Sequence, residues 1–417
     1  MNQEEYVPIY LNISQCVGCT ACMQRCPTEA IRIRGGKAAV MRERCVACGE
    51  CIRVCPHHAM EARVDRLDQV LGKYKYTIAL PAQALYGQFP GIKTRSPVLE
   101  GLRRMGFDEV FEVATAAEVV SAATHYELAH GSIPHPILTT VCPVVLRLVR
   151  IRFPSLLPHL LNYRSPMEMA ARWSRQLASR KTGLAPEDIG CVYISPCPAK
   201  CASIQDSIGT LKTALNGIVS VAEVAPRLQA VMDGIEDEES FPHSGAAGVG
   251  WAIAGGQAAA VGESNNVVAS GMENLIRILE ALEDGKLSSV ELVELSACTP
   301  GCVGGALTVE NPFIAAARLR KMMQGFGPSV PVSDCPVEDM RWEKTPAPSQ
   351  VLRLDEDLSR AMEKMDRIRA LADSLPGMNC GACGAPSCKA FAEDAVTGRG
   401  HGARCVFRPD TPEHEVL

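Results

Sequence analysis

The segments CVGCTACMQRCP (residues 16–27) and CVACGECIRVCP (residues 45–56) repeat one pattern. In each copy, pairs of residues separate three cysteines, and a fourth cysteine follows after three further residues, with proline directly behind it. A [4Fe–4S] cube needs four thiolates on four iron corners, and a tight loop can present three while the partner segment supplies the fourth. The repeat therefore predicts two clusters with crossed ligand sets, which are Cys16, Cys19, Cys22 and Cys55 for the first and Cys45, Cys48, Cys51 and Cys26 for the second.

The repeat resembles a bacterial-type two-cluster ferredoxin module. This resemblance implies an N-terminal ferredoxin-like α+β module over residues 1–73. Zinc is the alternative occupant, although two zinc sites have no need of eight cysteines in this spacing.

A second cysteine group lies near the other end of the chain, where two, four and sixteen residues separate Cys380, Cys383, Cys388 and Cys405. It resembles the small four-cysteine iron–sulfur domain of some membrane electron-transport subunits and corrinoid iron–sulfur proteins, which implies a third cluster. Structural zinc is again the alternative, but these spacings suit no common zinc motif. Upstream, residues 351–375 carry apolar side chains near helical spacing and predict one amphipathic helix. A linker helix and a small C-terminal [4Fe–4S] domain are therefore expected over residues 346–417.

The amino-acid composition excludes several classes of protein. The 417 residues carry 42 Lys and Arg against 47 Asp and Glu, so nucleic acid is not an expected partner. Hydrophobic residues make up 47% and charged residues 21%, which excludes a disordered chain. Because the start is acidic and lacks an apolar leader, the 19 cysteines predict metal sites in a reducing cytoplasm rather than disulfides. The longest uncharged run, residues 245–262, is too rich in glycine for an expected membrane span.

Four of the remaining cysteines lie in Pro/Gly turns behind predicted strands; they are Cys142, Cys197, Cys298 and Cys302. The preceding apolar stretches are residues 133–138, 191–194 and 290–295. Open α/β sheets place their ligand sites at such strand ends.

The three turns, TTVCP (139–143), SPCPAK (195–200) and SACTPGCVGG (296–305), resemble in order the three signature motifs of the [FeFe]-hydrogenase catalytic domain. That resemblance implies a two-lobed α/β domain over residues 74–345. It also implies an H-cluster, in which one cysteine bridges a [4Fe–4S] cube to a diiron unit bearing CO, cyanide and a dithiolate. The tail VGGALTVENPF (303–313) is more similar to sensory and divergent members than to high-turnover enzymes.

Carried over residue by residue, the resemblance assigns the cube to Cys142, Cys197 and Cys298 and the bridge to Cys302. Lys200 matches the family lysine whose ammonium hydrogen-bonds a cyanide, a pairing that suits a buried cation and an anionic ligand. Without that match, Lys200 would be interpreted as an exposed lysine. Pro196 and Pro198 are expected to shape the wall of the pocket.

Several positions depart from the pattern of high-turnover members. Val141 replaces the cysteine that relays protons to the diiron site, and Ala123 falls where a family glutamate is expected. Ser195 and Ser296 replace two methionines. Because valine cannot exchange a proton, the resemblance implies slow turnover unless another route exists.

Two functions remain open. The first is a divergent or sensory [FeFe] hydrogenase that slowly oxidises H2 or reduces protons and exchanges electrons with a redox protein, either ferredoxin-like or a hydrogenase or signalling subunit. The second is a non-catalytic iron–sulfur electron-transfer or assembly protein without the diiron unit, like the eukaryotic hydrogenase-like proteins. Three accessory clusters are expected to flank the H-cluster on two sides. Cys191, Cys201 and Cys335 are interpreted as structural thiols.

Overall fold

The structure is a computed structural model that describes residues 8–205, 207–238, 244–326, 335–400 and 402–408. Internal contacts divide the chain into two units. The larger unit comprises residues 63–347, and the smaller unit joins residues 9–62 to the chain from Pro348 onward.

The secondary structure of the described residues is named in chain order. The strands are β1 (Ile9–Leu11), β2 (Ile31–Arg34), β3 (Lys37–Val40), β4 (Met60–Ala62), β5 (Tyr76–Pro81), β6 (Glu109–Val110), β7 (Ile137–Leu138), β8 (Ile189–Ser195), β9 (Gly217–Ser220), β10 (Asn266–Ser270) and β11 (Leu292–Ser296). The α-helices are α1 (Ala21–Gln24), α2 (Glu50–Val54), α3 (Leu67–Val70), α4 (Ser96–Arg104), α5 (Val113–His130), α6 (Pro143–Arg152), α7 (Pro166–Thr182), α8 (Pro198–Gln205), α9 (Val221–Met232), α10 (Ala246–Gly250), α11 (Gly256–Val261), α12 (Met272–Glu283), α13 (Pro312–Met323), α14 (Leu358–Ser374) and α15 (Cys388–Val396).

The larger unit is built on two parallel sheets. One sheet has the strand order β6-β5-β8-β9, and the other has the order β10-β11-β7. Every residue of β8 is buried, and β5 is buried from Thr77 onward. Such continuous burial is typical of parallel strands that helices cover on both faces. The two sheets agree with the predicted two-lobed α/β domain.

Helices and strands of the larger unit share an apolar core. Helix α7 packs on β5 and β8, and α4 packs against α9. Leu85, Val98, Ile194, Leu228 and Leu319 are all fully buried in this core. Burial of one such side chain contributes about 1.5–3 kcal/mol, so the core fixes the strand ends that carry the predicted ligands.

Those ligands follow the carboxyl ends of parallel strands. Strand β7 leads to Cys142, β8 leads to Cys197, and β11 leads to Cys298. The location agrees with the position of ligand sites in open α/β sheets.

The smaller unit contains the ferredoxin-like module. Strand β1 pairs with β4 and β2 pairs with β3, both antiparallel. The β2–β3 hairpin turns at Gly35 and Gly36, whose φ angles of 54° and 71° suit a type I′ turn. The short helices α1 and α2 carry Cys22 and Cys51.

The C-terminal cysteine domain packs against this module. Asp394 of α15 accepts hydrogen bonds from Arg32 Nε at 2.5 Å and from Arg34 Nη2 at 3.0 Å, and Arg32 and Asp394 are almost fully buried. The backbone N–H of Ile33 donates to the Gly384 carbonyl at 2.9 Å. A Cβ atom at Gly384 would lie 2.2 Å from the Ile33 carbonyl oxygen, so glycine is required for this approach.

The three predicted accessory sites all belong to the smaller unit. The division between the two units falls after Ala62, within the span 1–73 that the sequence predicts for the module. Residues beyond Ala62 join the larger unit, because Asp65 accepts a hydrogen bond from the Ile218 N–H at 2.8 Å and Val70 lies in the larger core.

The predicted amphipathic helix is shorter than its apolar pattern. It begins at Leu358 because Asp357 caps it, accepting a hydrogen bond from the Arg360 N–H at 2.9 Å. Ile368 is buried in this helix, whereas Leu358 and Met362 are exposed. Among the described residues, no helix combines the length and the apolar character that crossing a bilayer requires.

Candidate functional site

Cys142 lies at the start of α6, directly after the β7 strand end. It occupies the N-cap position, where the following residue, Pro143, opens the helix. The backbone amide of Ala297, which follows β11, hydrogen-bonds the Cys142 sulfur. This contact links the first predicted ligand turn to the third.

Cys197 lies in a tight turn between β8 and α8. The Ser195 hydroxyl donates to the Cys197 carbonyl at 2.9 Å and accepts from the Cys197 N–H at 3.3 Å. The Cys201 thiol donates to the same carbonyl at 3.3 Å. Ser195, one of the departures from the family pattern, therefore closes the turn that presents Cys197.

The turn from Cys298 to Cys302 packs against the glycine-rich segment that precedes β10. Gly301 has a φ of 117°, and a Cβ atom there would lie 2.6 Å from Ala254 N and 2.7 Å from the Ala252 carbonyl oxygen. The Ala254 N–H donates to the Pro300 carbonyl at 2.8 Å. Glycine at position 301 allows the loop to pack this closely because it has no Cβ atom.

The thiols of these turns lie close enough to influence one another. Burial raises the pKa of Cys142, and it raises the pKa of Cys197 to about 11. The charge of Cys302 raises both pKa values further, whereas the Lys200 ammonium lowers that of Cys197. Burial disfavours the thiolate form of these cysteines, and a bound iron core would offset this because a metal stabilises its cysteine ligands as thiolates.

Lys200 is buried, with 7% of its surface exposed, and not on the surface as a lysine ordinarily is. Its Nζ lies 3.9 Å from Cys302 Sγ and 3.2 Å from the Tyr193 hydroxyl. Burial by itself lowers the pKa of Lys200, but the negative charges of Cys302, Tyr193 and Cys197 raise it well above its usual value. Lys200 is therefore a buried cation beside the predicted bridging cysteine.

Val141 borders a small cavity with about 50 Å³ of room for water. Thr140, Tyr163, Glu168 and Ser203 also line it. A water needs roughly 10–15 Å³ of such space and two to four polar partners, so this cavity can hold water beside Val141.

Tyr163 connects that cavity to a buried carboxylate. Its hydroxyl donates to Glu127 Oε2 at 3.0 Å and lies 3.4 Å from the Ala123 carbonyl oxygen. Arg341, whose side chain is 57% exposed, donates to the same Glu127 oxygen at 2.9 Å. The sequence analysis expected a glutamate at position 123 and did not consider Glu127, which lies one helical turn later on α5. The i, i+4 spacing, which places both positions on one face of the helix, was the signal that could have identified it.

The first predicted cluster site is a cavity in the smaller unit. Its lining includes the crossed set Cys16, Cys19, Cys22 and Cys55. Burial raises the pKa of Cys22 to about 11, and the other three thiols raise it further. His57, an exposed residue, also lines this cavity.

The second predicted set also comes together, as Cys26, Cys45, Cys48 and Cys51. Burial raises the pKa of Cys48 to about 12, and Cys26 and Cys45 add to that rise. The same neighbours, with Cys48, act on Cys51. The Ala30 N–H donates to Cys26 Sγ at 3.2 Å, a type of contact that tunes cluster potentials.

The third predicted set lines one cavity between the loop before α15 and the loop after it. The lining includes Cys380, Cys383, Cys388 and Cys405. Cys388 opens α15, and its N–H donates to the Asn379 side chain at 2.8 Å. Across the described residues, no group of three or more His, Cys, Asp or Glu side chains is placed to hold a single metal ion.

Two of the cysteines without a predicted ligand role lie in the larger core. Cys191 is buried within β8, where its thiol donates to the Ala171 carbonyl at 3.4 Å. Cys201 is also buried, and burial raises its pKa. Cys335 is partly exposed.

The parallel sheets and the cysteine turns at their strand ends define an α/β domain of the hydrogenase type. Residues 75–266 and 257–306 match the family model described as the C-terminal domain of the iron-only hydrogenase large subunit, and together they span more than half of the chain. The chain therefore belongs to the [FeFe]-hydrogenase family. Residues 8–56 match a 4Fe-4S dicluster domain, and residues 375–407 match a putative Fe-S cluster domain.

Individual relatives are similar over parts of the chain. The periplasmic [Fe] hydrogenase large subunit of Nitratidesulfovibrio vulgaris is 32% identical over 211 residues, which cover 46% of this chain and 50% of that protein. The cytosolic Fe-S cluster assembly factor nar1 of Talaromyces marneffei is 29% identical over 96 residues, covering 23% of this chain and 16% of the relative. The chain thus spans half or less of these relatives.

Among solved structures, apo [FeFe]-hydrogenase HydA1 from Chlamydomonas reinhardtii aligns with a TM-score of 0.50 at 18% identity. The alignment covers 63% of this chain and 87% of that structure. At this identity the match concerns the fold, and the predicted α/β class with a ferredoxin-like N-terminal region is confirmed.

Proposed function

We propose that this protein is a divergent or sensory-type [FeFe] hydrogenase of low activity. It would oxidise H2 or reduce protons reversibly, and it would exchange electrons with a redox protein in the cytoplasm. The larger unit would hold an H-cluster, and the smaller unit three accessory [4Fe–4S] clusters.

The donor set fits the groups proposed for it. Cys142, Cys197 and Cys298 would hold the cube and Cys302 would bridge it to the diiron unit, while Pro196 and Pro198 would line the pocket. The crossed neighbours around Cys22 and Cys51 fit two cubes, whose four iron corners keep thiolates farther apart than one zinc ion does. When bound, the diiron unit supplies the metal chemistry that splits or forms H2.

The observation that carries the proposal is the buried ammonium of Lys200, 3.9 Å from Cys302 Sγ. Placing a cation in an apolar interior is costly unless an anion is bound beside it. In a cube-only protein the Cys302 thiolate is the anionic partner of this ammonium. A diiron unit with anionic cyanide ligands would give a further partner to a cation that is already placed beside the bridging position.

Proton supply in this chain would use another route than a cysteine at position 141. Glu127 would take up protons from the surface beside Arg341, and the Tyr163 hydroxyl would pass them to water in the cavity beside Val141. The step between Glu127 and Tyr163 is within hydrogen-bond reach, at 3.0 Å. The last step depends on water rather than on a fixed thiol, which accounts for slow turnover.

The second candidate is an iron–sulfur electron-transfer or assembly protein that lacks the diiron unit. Apolar Val141 beside the pocket and the partial match to an assembly factor favour this candidate. It predicts four cubes and no diatomic ligands.

Infrared absorption of protein expressed with the hydrogenase maturation enzymes tests the proposal. CO and cyanide stretching bands are expected in that protein, and they should be absent from protein expressed without the maturation enzymes. Iron and sulfide analysis of both samples should give about four cubes per chain. Full cube content without any diatomic bands after maturation would replace the proposal with the second candidate.

A further inference from the structure

Tyr193 is a buried residue in the pocket that the sequence comparison did not single out. It lies on β8, two residues before Ser195, and it has no exposed surface. Its hydroxyl is 3.2 Å from Lys200 Nζ, and that ammonium lies 5.7 Å from the centre of the Tyr193 ring. The hydroxyl therefore contacts the cation, and the ring holds that hydroxyl in place.

The hydrogen bonds of the ammonium can be counted. A lysine ammonium has three N–H donors and no acceptor, so the Tyr193 oxygen accepts. Within the described residues, the recorded side-chain partners of Lys200 are Tyr193 and Cys302. One N–H then remains for a ligand that enters the pocket.

We propose that Tyr193 is the positioning residue of Lys200, which it holds beside Cys302 with one N–H directed at an anionic ligand of the diiron unit. The proposal rests on the proposed function. A lysine side chain has four rotatable bonds, and fixing it costs rotamer entropy. Tyr193 is a rigid partner on a buried strand, so the Lys200 side chain is already ordered before the ligand binds.

The strand explains why tyrosine can do this. Tyr193 pairs with Leu80 of β5 and with Ile218 of β9, so its backbone is held on both sides. A side chain from such a strand moves less than one from a loop. Lys200 itself lies in the first turns of α8, a short helix whose start is fixed by the Cys197 turn.

The test compares four variants of the full chain. Tyr193→Phe removes one hydroxyl and keeps the ring, and Lys200→Met removes the cation. The third variant combines both changes. Tyr86→Phe is the matched control, because Tyr86 is equally buried and its hydroxyl donates to Glu112 at 3.1 Å rather than contacting Lys200.

The first measurement uses cube-loaded protein without a diiron unit. Lys200→Met should make one reduction step more negative, because it removes a positive charge beside a cube ligand. Tyr193→Phe should move that same step in the same direction by a smaller amount. Tyr86→Phe should leave every reduction step unchanged. An unmoved step in Tyr193→Phe would overturn the proposal, whatever the outcome for hydrogenase activity.

The second measurement is uptake of a synthetic diiron dithiolate complex bearing CO and cyanide, followed by its infrared bands. Loss of a hydrogen bond to a charged group predicts uptake about tenfold weaker in Tyr193→Phe. The double variant should bind no more weakly than Lys200→Met, because Tyr193 acts through Lys200. Additive losses, or unchanged uptake in Tyr193→Phe, would overturn the positioning role. If the unaltered protein takes up no complex, the proposed function fails and the reduction step alone decides the role of Tyr193.

Discussion

Cys302 differs from the other three cysteines of the pocket in its contact with Lys200. Cys302→Ser should therefore leave the cube on Cys142, Cys197 and Cys298 nearly intact and prevent stable attachment of the diiron unit. Iron analysis and infrared absorption of matured protein measure the two effects separately. Cys335→Ser, which alters a partly exposed thiol outside the pocket, is the control. Full-strength CO and cyanide bands in Cys302→Ser would show that another residue is the bridge.

Val141 and Glu127 lie at the two ends of the proposed proton route. Val141→Cys places a titratable thiol beside the pocket, and a positioned acid–base group contributes about 10²–10⁴-fold. Hydrogen evolution from a reduced dye should therefore rise in Val141→Cys. Adding Glu127→Gln should remove most of that gain, because the amide cannot deliver protons to Tyr163. A gain that survives Glu127→Gln would show that protons reach position 141 by another path.

Glu127 also gives the fold a dependence on acid. Burial alone raises its pKa, but hydrogen bonds from Tyr163, Arg341 and the Ser132 N–H bring the pKa below its usual value. A lowered pKa in the folded state stabilises the fold at neutral pH, and this stabilisation is lost as pH falls through the folded-state pKa. The unfolding midpoint should decline less between neutral and acid pH in Glu127→Gln than in the unaltered protein. Parallel pH profiles would argue against this role.

Sequence reasoning selected cysteines by their spacing and did not select Tyr163, Glu127 or Tyr193, whose contacts depend on the fold. Cysteine spacing was sufficient to predict three ligand sets whose thiols the structure brings together. The burial of Lys200 and the contact between Tyr163 and Glu127 depend on how β8, α5 and the strand ends pack. No local pattern records such packing, because it depends on residues that are distant in the chain and meet only in the folded structure.

Helix α15 is attached to the ferredoxin-like module by the buried carboxylate of Asp394. Asp394→Asn should leave the buried charge of Arg32 and the partly exposed charge of Arg34 without this ionised partner, and breaking a buried pair costs about 3–5 kcal/mol. Urea unfolding followed by cluster absorbance measures the loss. Asp366→Asn on α14 is the control, because its 3.6 Å pair with Arg369 is exposed and contributes little. Equal stability of both variants would contradict an essential role for this contact.

The start of α14 shows where helix prediction needed more than apolar spacing. Leu352 and Leu354 continue the apolar pattern, but Asp355 accepts from the Asp357 N–H at 3.1 Å and Asp357 caps the helix. Aspartate side chains compete with helical hydrogen bonds and favour caps. The aspartate residues therefore indicate where the helix begins, and apolar spacing alone does not take them into account.

The two parts of the smaller unit are distant in the chain and adjacent in the structure. A chain ending at Ala347 would lack α15 and leave Arg32, which is almost fully buried by its neighbours in the smaller unit, without Asp394. We expect this truncated chain to lose iron from the two-cluster module, beyond the one cluster removed with the C-terminal domain. Iron per chain after denaturant challenge measures this loss, and the full chain is the control. Retention of both module clusters at the original midpoint would show that the module is stable alone.

The joining of residues 9–62 to the chain beyond Pro348 has a consequence for biogenesis. Domains generally fold as they leave the ribosome, the N-terminal one first. Here residues 9–62 emerge before the chain beyond Pro348 with which they form one unit, and the larger unit is made between them. The eight cysteines of the module therefore belong to an unfinished unit until α15 has been made, which leaves time for iron and sulfide to be delivered before Asp394 closes over Arg32. An early segment of the chain is thus completed only after a much later one.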